Sequence, residues 1–280
     1  MPHGFQTIVH PTDFSDISVE AFAHALRIAL ITKSKLYLVH IAESENPGEQ
    51  DGFPHVRQTL EQWHLLKANE PSAAVADKLG IKVAKIGLTR QDPLRGLLQF
   101  LDRHPTDLLV LATHGRDGIV HWLQGSVAEK LSRTARLPTL FLPPTAYGFV
   151  EPSNGNLHLS RVLVPVDHSP APSEALDTIY EFISLIDDAT IELLHVGGTE
   201  PPIRRVADGT RIPVTMRTGD VVSTILKVAD EQQADLIAMP TAGRHGFLDA
   251  ARGSTTERVL RHAPCPVLSV PAGRPEGLWP

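Results

Sequence analysis

A single cysteine, Cys265, is present in 280 residues. One thiol cannot close an internal disulfide, so the chain must fold without that staple, which points to a reducing compartment. The apolar neighbours in "APCPVL" mark this thiol as buried and inert rather than nucleophilic. No stretch approaches eighteen consecutive apolar residues, so no membrane-spanning helix is expected. The opening "MPHGFQTIVHPTDF" has neither a basic n-region nor an apolar h-region. No signal peptide is therefore expected, and the reading is cytoplasmic. Clustered Lys and Arg are also missing, and the net charge is −6 with a pI near 6.1. Binding to nucleic acid or to an anionic membrane surface needs such clusters to release counterions, so neither is expected. The first strand–helix turn holds no G-x-G-x-x-G, and G-x-x-x-x-G-K-[ST] is absent, which excludes the usual dinucleotide and P-loop sites. Neither G-x-S-x-G nor H-E-x-x-H occurs.

What the chain does contain is a repeat. "ATHGRDGIVHWLQGSV" at 112–127 and "PTAGRHGFLDAARGST" at 240–255 share Gly-x9-Gly-Ser, as Gly115, Gly125 and Ser126 against Gly243, Gly253 and Ser254. "TIVHPTDFS" at 7–15 matches "RVLVPVDHS" at 161–169, which sets Asp13 against Asp167 at an offset of 154. "LYLVHI" at 36–41 matches "IELLHV" at 191–196, offset 155, and from Asp92 and Asp220 onward the offset is 128. The fall from 155 to 128 locates a 27-residue deletion in the second copy, between its second and third strands. Two domains are thus expected, 1–145 and 160–280. They are joined by a Pro-, Gly-, Ser- and Asn-rich linker at 146–159, within "PPTAYGFVEPSNGNLHLS". At about 140 residues, each domain can bury about two-thirds of its unfolded surface.

Each copy alternates strand and helix. In the first, the expected strands are Thr7–His10, Leu36–Ile41, the alternating Ala84, Ile86 and Leu88, "DLLVLA" at 107–112 and "PTLFLP" at 138–143. The expected helices are Val19–Ile31, a Val56–Leu79 stretch interrupted by Pro71, Pro93–Arg103 with proline in its first turn, and Ser126–Arg136. Near-continuous apolar strands alternating with helices predict an α/β fold, here two doubly wound five-stranded parallel sheets. A strand order of 3-2-1-4-5 would make strands one and four neighbours. The turns "HPTDFS" and "ATHGRDG" would then share one crevice at the carboxyl ends of the strands.

Residue types suggest roles in that crevice. Gly115 admits a ligand close to the backbone. Gly125, Ser126 and Val127 open a helix whose free N–H groups favour an anion. Asp13, acceptor-only when ionised, suits ribose hydroxyls or an adenine amino group. Each residue also has a plainer use: a tight turn for Gly115, an N-cap for Ser126, a cap of the following helix for Asp13. His10, His40 and His114 fall near strand ends, but only His40 recurs, as His195, so no metal site is expected.

On the "PTDFS" turn, the "LVHI" strand and the doubled Gly-x9-Gly-Ser, the chain resembles a tandem member of the universal stress protein family, over roughly 5–143 and 160–271. The nucleotide-binding members of that family show G-x2-G-x9-G-[ST]. Here its first glycine is Ala112 in one copy and Pro240 in the other. The resemblance implies ATP, with magnesium as an optional companion. In the first copy it would contact Pro11, Thr12, Asp13, Ile41, Ala112, Gly115, Gly125, Ser126 and Val127. Weaker counterparts would be Asp167, Val196, Gly243, Gly253, Ser254 and Thr255. It also implies pairing of the last strands, either within one chain as a pseudo-dimer or between chains as a homodimer. The expected role is an ATP-binding stress sensor or regulator with no catalytic residues, leaving weak ATPase or autophosphorylation open. The alternative is an interaction module of the same fold with vestigial loops. An adenylate-transferring enzyme would need a Gly- and Ser-rich first loop, which "HPTDFSD" does not offer.

Overall fold

The computed structural model describes residues 4–42, 52–68, 70–71, 73–90, 92–113, 137–144, 146–170, 172–201, 212–241 and 255–272. The first half runs β1 (Thr7–Pro11), α1 (Asp16–Thr32), β2 (Lys35–Ala42), α2 (Val56–Gln62), α3 (Ala74–Leu79), β3 (Lys82–Thr89), α4 (Pro93–Arg103), β4 (Leu108–Ala112) and β5 (Thr139–Leu142). The second runs β6 (Arg161–Pro165), α5 (Ser173–Ile186), β7 (Thr190–Val196), β8 (Val214–Arg217), α6 (Val221–Glu231), β9 (Leu236–Thr241), α7 (Thr255–Leu260) and β10 (Val267–Pro271).

All ten strands form one sheet in the order β3-β2-β1-β4-β5-β10-β9-β6-β7-β8. Each half therefore has the expected 3-2-1-4-5 order. Every neighbouring pair is parallel except β5 with β10, which run antiparallel with Leu268 opposite Leu140. Side chains alternate across the sheet. Ile8, Leu36, Leu38, Leu108 and Val110 join the core beneath α1 and α5. Val9, Tyr37, Val39, Leu109 and Leu111 join the opposite core, beneath α4, α6 and α7. Burial on both faces is why these strands read as continuous apolar runs.

The repeat reaches into details of hydrogen bonding. Asp107 Oδ2 accepts from the Gln6 and Thr7 amides at 2.9 and 2.8 Å, pinning the start of β1 to the strand beside it. Asp235 Oδ2 does the same for Ser160 and Arg161 at 2.7 and 2.9 Å. Asp92 caps α4 through the Arg95 amide, and Asp220 caps α6 through the Ser223 amide, both at 3.0 Å.

One expectation needs correction. The stretch 56–79 is two short helices, not one interrupted at Pro71. The first ends at Trp63, whose ring is buried and donates Nε1–H to the Pro152 carbonyl at 2.9 Å. His64 follows in the left-handed region at φ 58°, so the helix cannot continue. The acceptor lies in the segment joining the halves, and that segment is packed. Phe149, Val150 and Leu159 are all buried. Val150 N–H donates to His24 Nε2 at 3.1 Å, while His24 Nδ1–H donates to the Glu20 carbonyl at 2.8 Å. Across the two halves, Phe5 and Phe182 meet edge to face with centroids 5.7 Å apart.

Candidate functional site

The doubly wound order makes β1 and β4 neighbours, with Ile8 beside Leu108 and Val9 beside Leu109. Their carboxyl ends carry Pro11-Thr12-Asp13 on one side and Ala112-Thr113 on the other, and β2 brings Ile41 to the same end of the sheet. This is the switch in strand order at which open α/β sheets bind ligands. Pro11, Thr12, Ile41 and Ala112 are buried and form its floor, while Asp13 is half-buried at the rim.

Local chemistry holds the Asp13 turn. Thr12 N–H donates to the Val39 carbonyl at 2.9 Å, continuing the β1–β2 ladder one residue past the strand. His40 Nδ1 lies 2.8 Å from the Thr12 carbonyl. Asp13 Oδ1 accepts from the Ser15 amide at 3.0 Å and the Ser15 hydroxyl at 2.6 Å. Ser15 in turn caps α1 through the Ser18 amide at 3.3 Å. Part of the Asp13 carboxylate therefore serves the turn into α1, and Ser15, not Asp13, is the N-cap.

Behind this turn lies a buried polar row. His10 Nδ1 donates to the Val110 carbonyl at 3.0 Å, and the Ser18 hydroxyl donates to Thr12 Oγ1 at 2.9 Å. Burial pushes the His10 imidazole down to about 4; the Val110 bond, the Asp13 charge and Ser18 oppose this without reversing it. His10 is therefore neutral near pH 7, and its charge is not available to a ligand.

Aromatic rings flank the crevice. Phe14 sits at φ 63°, a costly conformation for a bulky residue, and stacks on His40 at 4.0 Å. Phe53 closes on Phe14 edge to face at 5.4 Å. Gly52 is required there, since a Cβ would come within 2.9 Å of the Phe14 ring. Phe14, His40 and Phe53 were not singled out as site residues in the sequence. The recurrence of His40 as His195 was the signal that could have found the clamp: His195 Nδ1 lies 2.9 Å from the Val166 carbonyl, the counterpart of Thr12.

In the second half, Asp167 is exposed after β6 and Val196 is half-buried at the end of β7. Thr255 opens α7. Gly115, Gly125, Ser126 and Val127, with Gly243, Gly253 and Ser254, lie outside the described residues, as does the helix expected at 126–136.

A duplicated 3-2-1-4-5 sheet with an acidic turn at its switch point defines a tandem α/β protein of Rossmann-like fold. The chain belongs to the universal stress protein family: the model of that family matches residues 4–143 and 203–271. The second match leaves out β6, α5 and β7, which the structure nonetheless shows in the same topology. Among relatives, universal stress protein MJ0531 of Methanocaldococcus jannaschii is 29% identical over 146 residues, covering 49% of this chain and 81% of its own. A universal stress protein of Archaeoglobus fulgidus superposes with a TM-score of 0.60 at 19% identity, over 96% of this chain and 97% of its own. A universal stress protein structure from Pseudomonas aeruginosa UCBPP-PA14 gives 0.62 at 15% identity, over 95% and 93%. The match to MJ0531 spans about half of this chain, and the two structures match nearly all of it. Among the described residues, no helix is long and apolar enough to cross a membrane.

Proposed function

We propose that the first half binds an adenine nucleotide, ATP in the first instance, and that the protein acts as a cytoplasmic stress-response regulator rather than a turnover enzyme. The observation that carries this reading is the switch point between β1 and β4, where Asp13 stands half-buried above a floor of Pro11, Thr12, Ile41 and Ala112. An exposed carboxylate edge over apolar walls suits a ribose and a purine ring. The Gly115-x9-Gly125-Ser126 string would supply backbone amides for the phosphates, with magnesium bound through the phosphates rather than through a protein cage. Ala112 in place of the first glycine adds only a methyl group, whereas Pro240 removes a donor. The first half is accordingly the stronger binder.

Isothermal titration with ATP tests the reading. The wild-type chain should bind about one nucleotide, and Gly125→Val or Asp13→Asn should weaken binding at least tenfold. Native mass spectrometry of freshly purified protein should show the adduct. A chain that shows no adduct and no heat with ATP, ADP or AMP is the interaction module that the engagement of Asp13 Oδ1 by Ser15 would favour.

A further inference from the structure

The second half has changed its strand-end chemistry. Asp167, His168 and His195 each place one donor atom within 4.8 Å of the others, the only such group of three among the described residues. Asp167 Oδ1 lies 3.4 Å from His168 Nδ1 and 3.8 Å from His195 Nδ1. Both distances are long for hydrogen bonds. They approach the edge of a tetrahedron, about 3.3–3.4 Å, drawn by metal–ligand bonds of 2.0–2.1 Å. We propose that Asp167, His168 and His195 form a site for a divalent transition-metal ion of the zinc class.

The first half serves as an internal control. Its counterparts are Asp13, Phe14 and His40. There the middle residue is a hydrocarbon ring stacked on the histidine, so no chelate forms. The acids themselves are alike in being engaged, Asp13 Oδ1 by Ser15 and Asp167 Oδ1 by the His168 amide at 2.7 Å. Replacing Phe14 by His168 supplies the second imidazole, and the two rings of the pair meet at 76° instead of stacking. His195 is buried and oriented, with Nδ1 at 2.9 Å from the Val166 carbonyl. Gly197 leaves the Nε2 edge of that ring clear, although His40 takes the same orientation on the Thr12 carbonyl. A Cβ there would come within 2.3 Å of His195 Nε2, and the first half carries Ala42 at the matching position. Two imidazoles and one carboxylate suit zinc or its neighbours over magnesium or calcium, which prefer all-oxygen shells. On ligation His195 gives up its bond to the Val166 carbonyl, which turns aside; the Nδ1 proton moves to Nε2, and the ion binds the freed Nδ1 lone pair. Asp167 and His168 are exposed, so the ion has an open path and keeps positions for water.

This proposal concerns the second half and does not depend on nucleotide binding in the first. Calorimetric titration of the whole, EDTA-treated chain with Zn2+ tests it, alongside His168→Phe, which restores the residue of the first half, and Asp167→Asn. The wild type should bind about one ion saturably. Both variants should bind at least tenfold more weakly while keeping the thermal midpoint of the metal-free wild type. Zn2+ should raise the midpoint of the wild type only. Absence of saturable binding, or equal affinity in the wild type and in whichever variants fold, overturns it; the latter would place the zinc on other histidines.

Discussion

His10 and His24 lie wholly inside the first half, and burial lowers both imidazoles to about 4. In the unfolded chain such rings titrate near 6.5. Above that pH both states are neutral and no proton-linked contribution arises. As pH falls from about 6.5 toward 4, the unfolded chain takes up protons that the fold refuses, so stability is lost in that window. Linkage puts the loss at about 2 kcal/mol per ring between pH 7 and 5. His24 gives the loss a structural route, because its Nε2 accepts the Val150 N–H and a proton there sets donor against donor. The second half has Val164 where the first has His10. His10→Val should therefore cost about 1–2 kcal/mol at pH 7, through the lost Nδ1–H bond to the Val110 carbonyl. It should also flatten the pH 7-to-5 loss by about 2 kcal/mol. Urea unfolding at a series of pH values measures both, and an unchanged slope would show that His10 is not the proton-linked group. Cys265 lies at the other extreme of reactivity, since burial first, and the Asp235 charge second, push its thiol up to about 12.

At the scale of elements, the segment joining the halves is part of the core. Phe149 is 1% exposed and packs edge-on against His24 at 4.6 Å. Gly155 turns the segment at φ 71°, where a Cβ would come within 2.4 Å of the Trp63 ring. Phe149→Ala should destabilise the chain by about 3–5 kcal/mol, the range for emptying a fully buried phenylalanine site. A loss under 1 kcal/mol in equilibrium denaturation would mean that the segment is only draped over α1. None of this packing was legible in the sequence. Pro, Gly, Ser and Asn mark turns locally, whereas the acceptor on His24 lies 126 residues from Val150. The strands were legible for the converse reason: burial on both faces writes itself into consecutive residues, as in "LYLVHI" and "DLLVLA". The position of Asp13 could be read from the repeat together with the strand order. The His40 clamp left one trace, the recurrence of His40 as His195; its partner, the Thr12 backbone carbonyl, leaves no mark on residue identity. Nor does composition foretell the left-handed backbone of Phe14, which only the packing of Phe53 and His40 around it explains.

At the scale of the molecule, β5 and β10 join two five-stranded sheets into one, and each would otherwise leave an unpaired edge. Leu140 faces Leu268, and the buried Thr139 faces the buried Ser269. The interface extends beyond this pairing: α1 touches α5, Phe5 meets Phe182, and the joining segment leaves β5, crosses α1 and returns to β6. The covalent link is then a minor part of what holds the halves together. A chain cut between residues 145 and 146 and coexpressed as two pieces should copurify as a one-to-one complex. The second piece would bring Phe149 and Val150 to their places on the first. Leu140→Ala and Leu268→Ala bear on the same point in the intact chain. Being cross-strand partners, their effects should be non-additive by at least about 0.5 kcal/mol in a double-mutant cycle, as residues in contact are. Additive effects, together with pieces that elute separately and folded, would leave the antiparallel seam with no energetic role and make the halves independent neighbours on one chain.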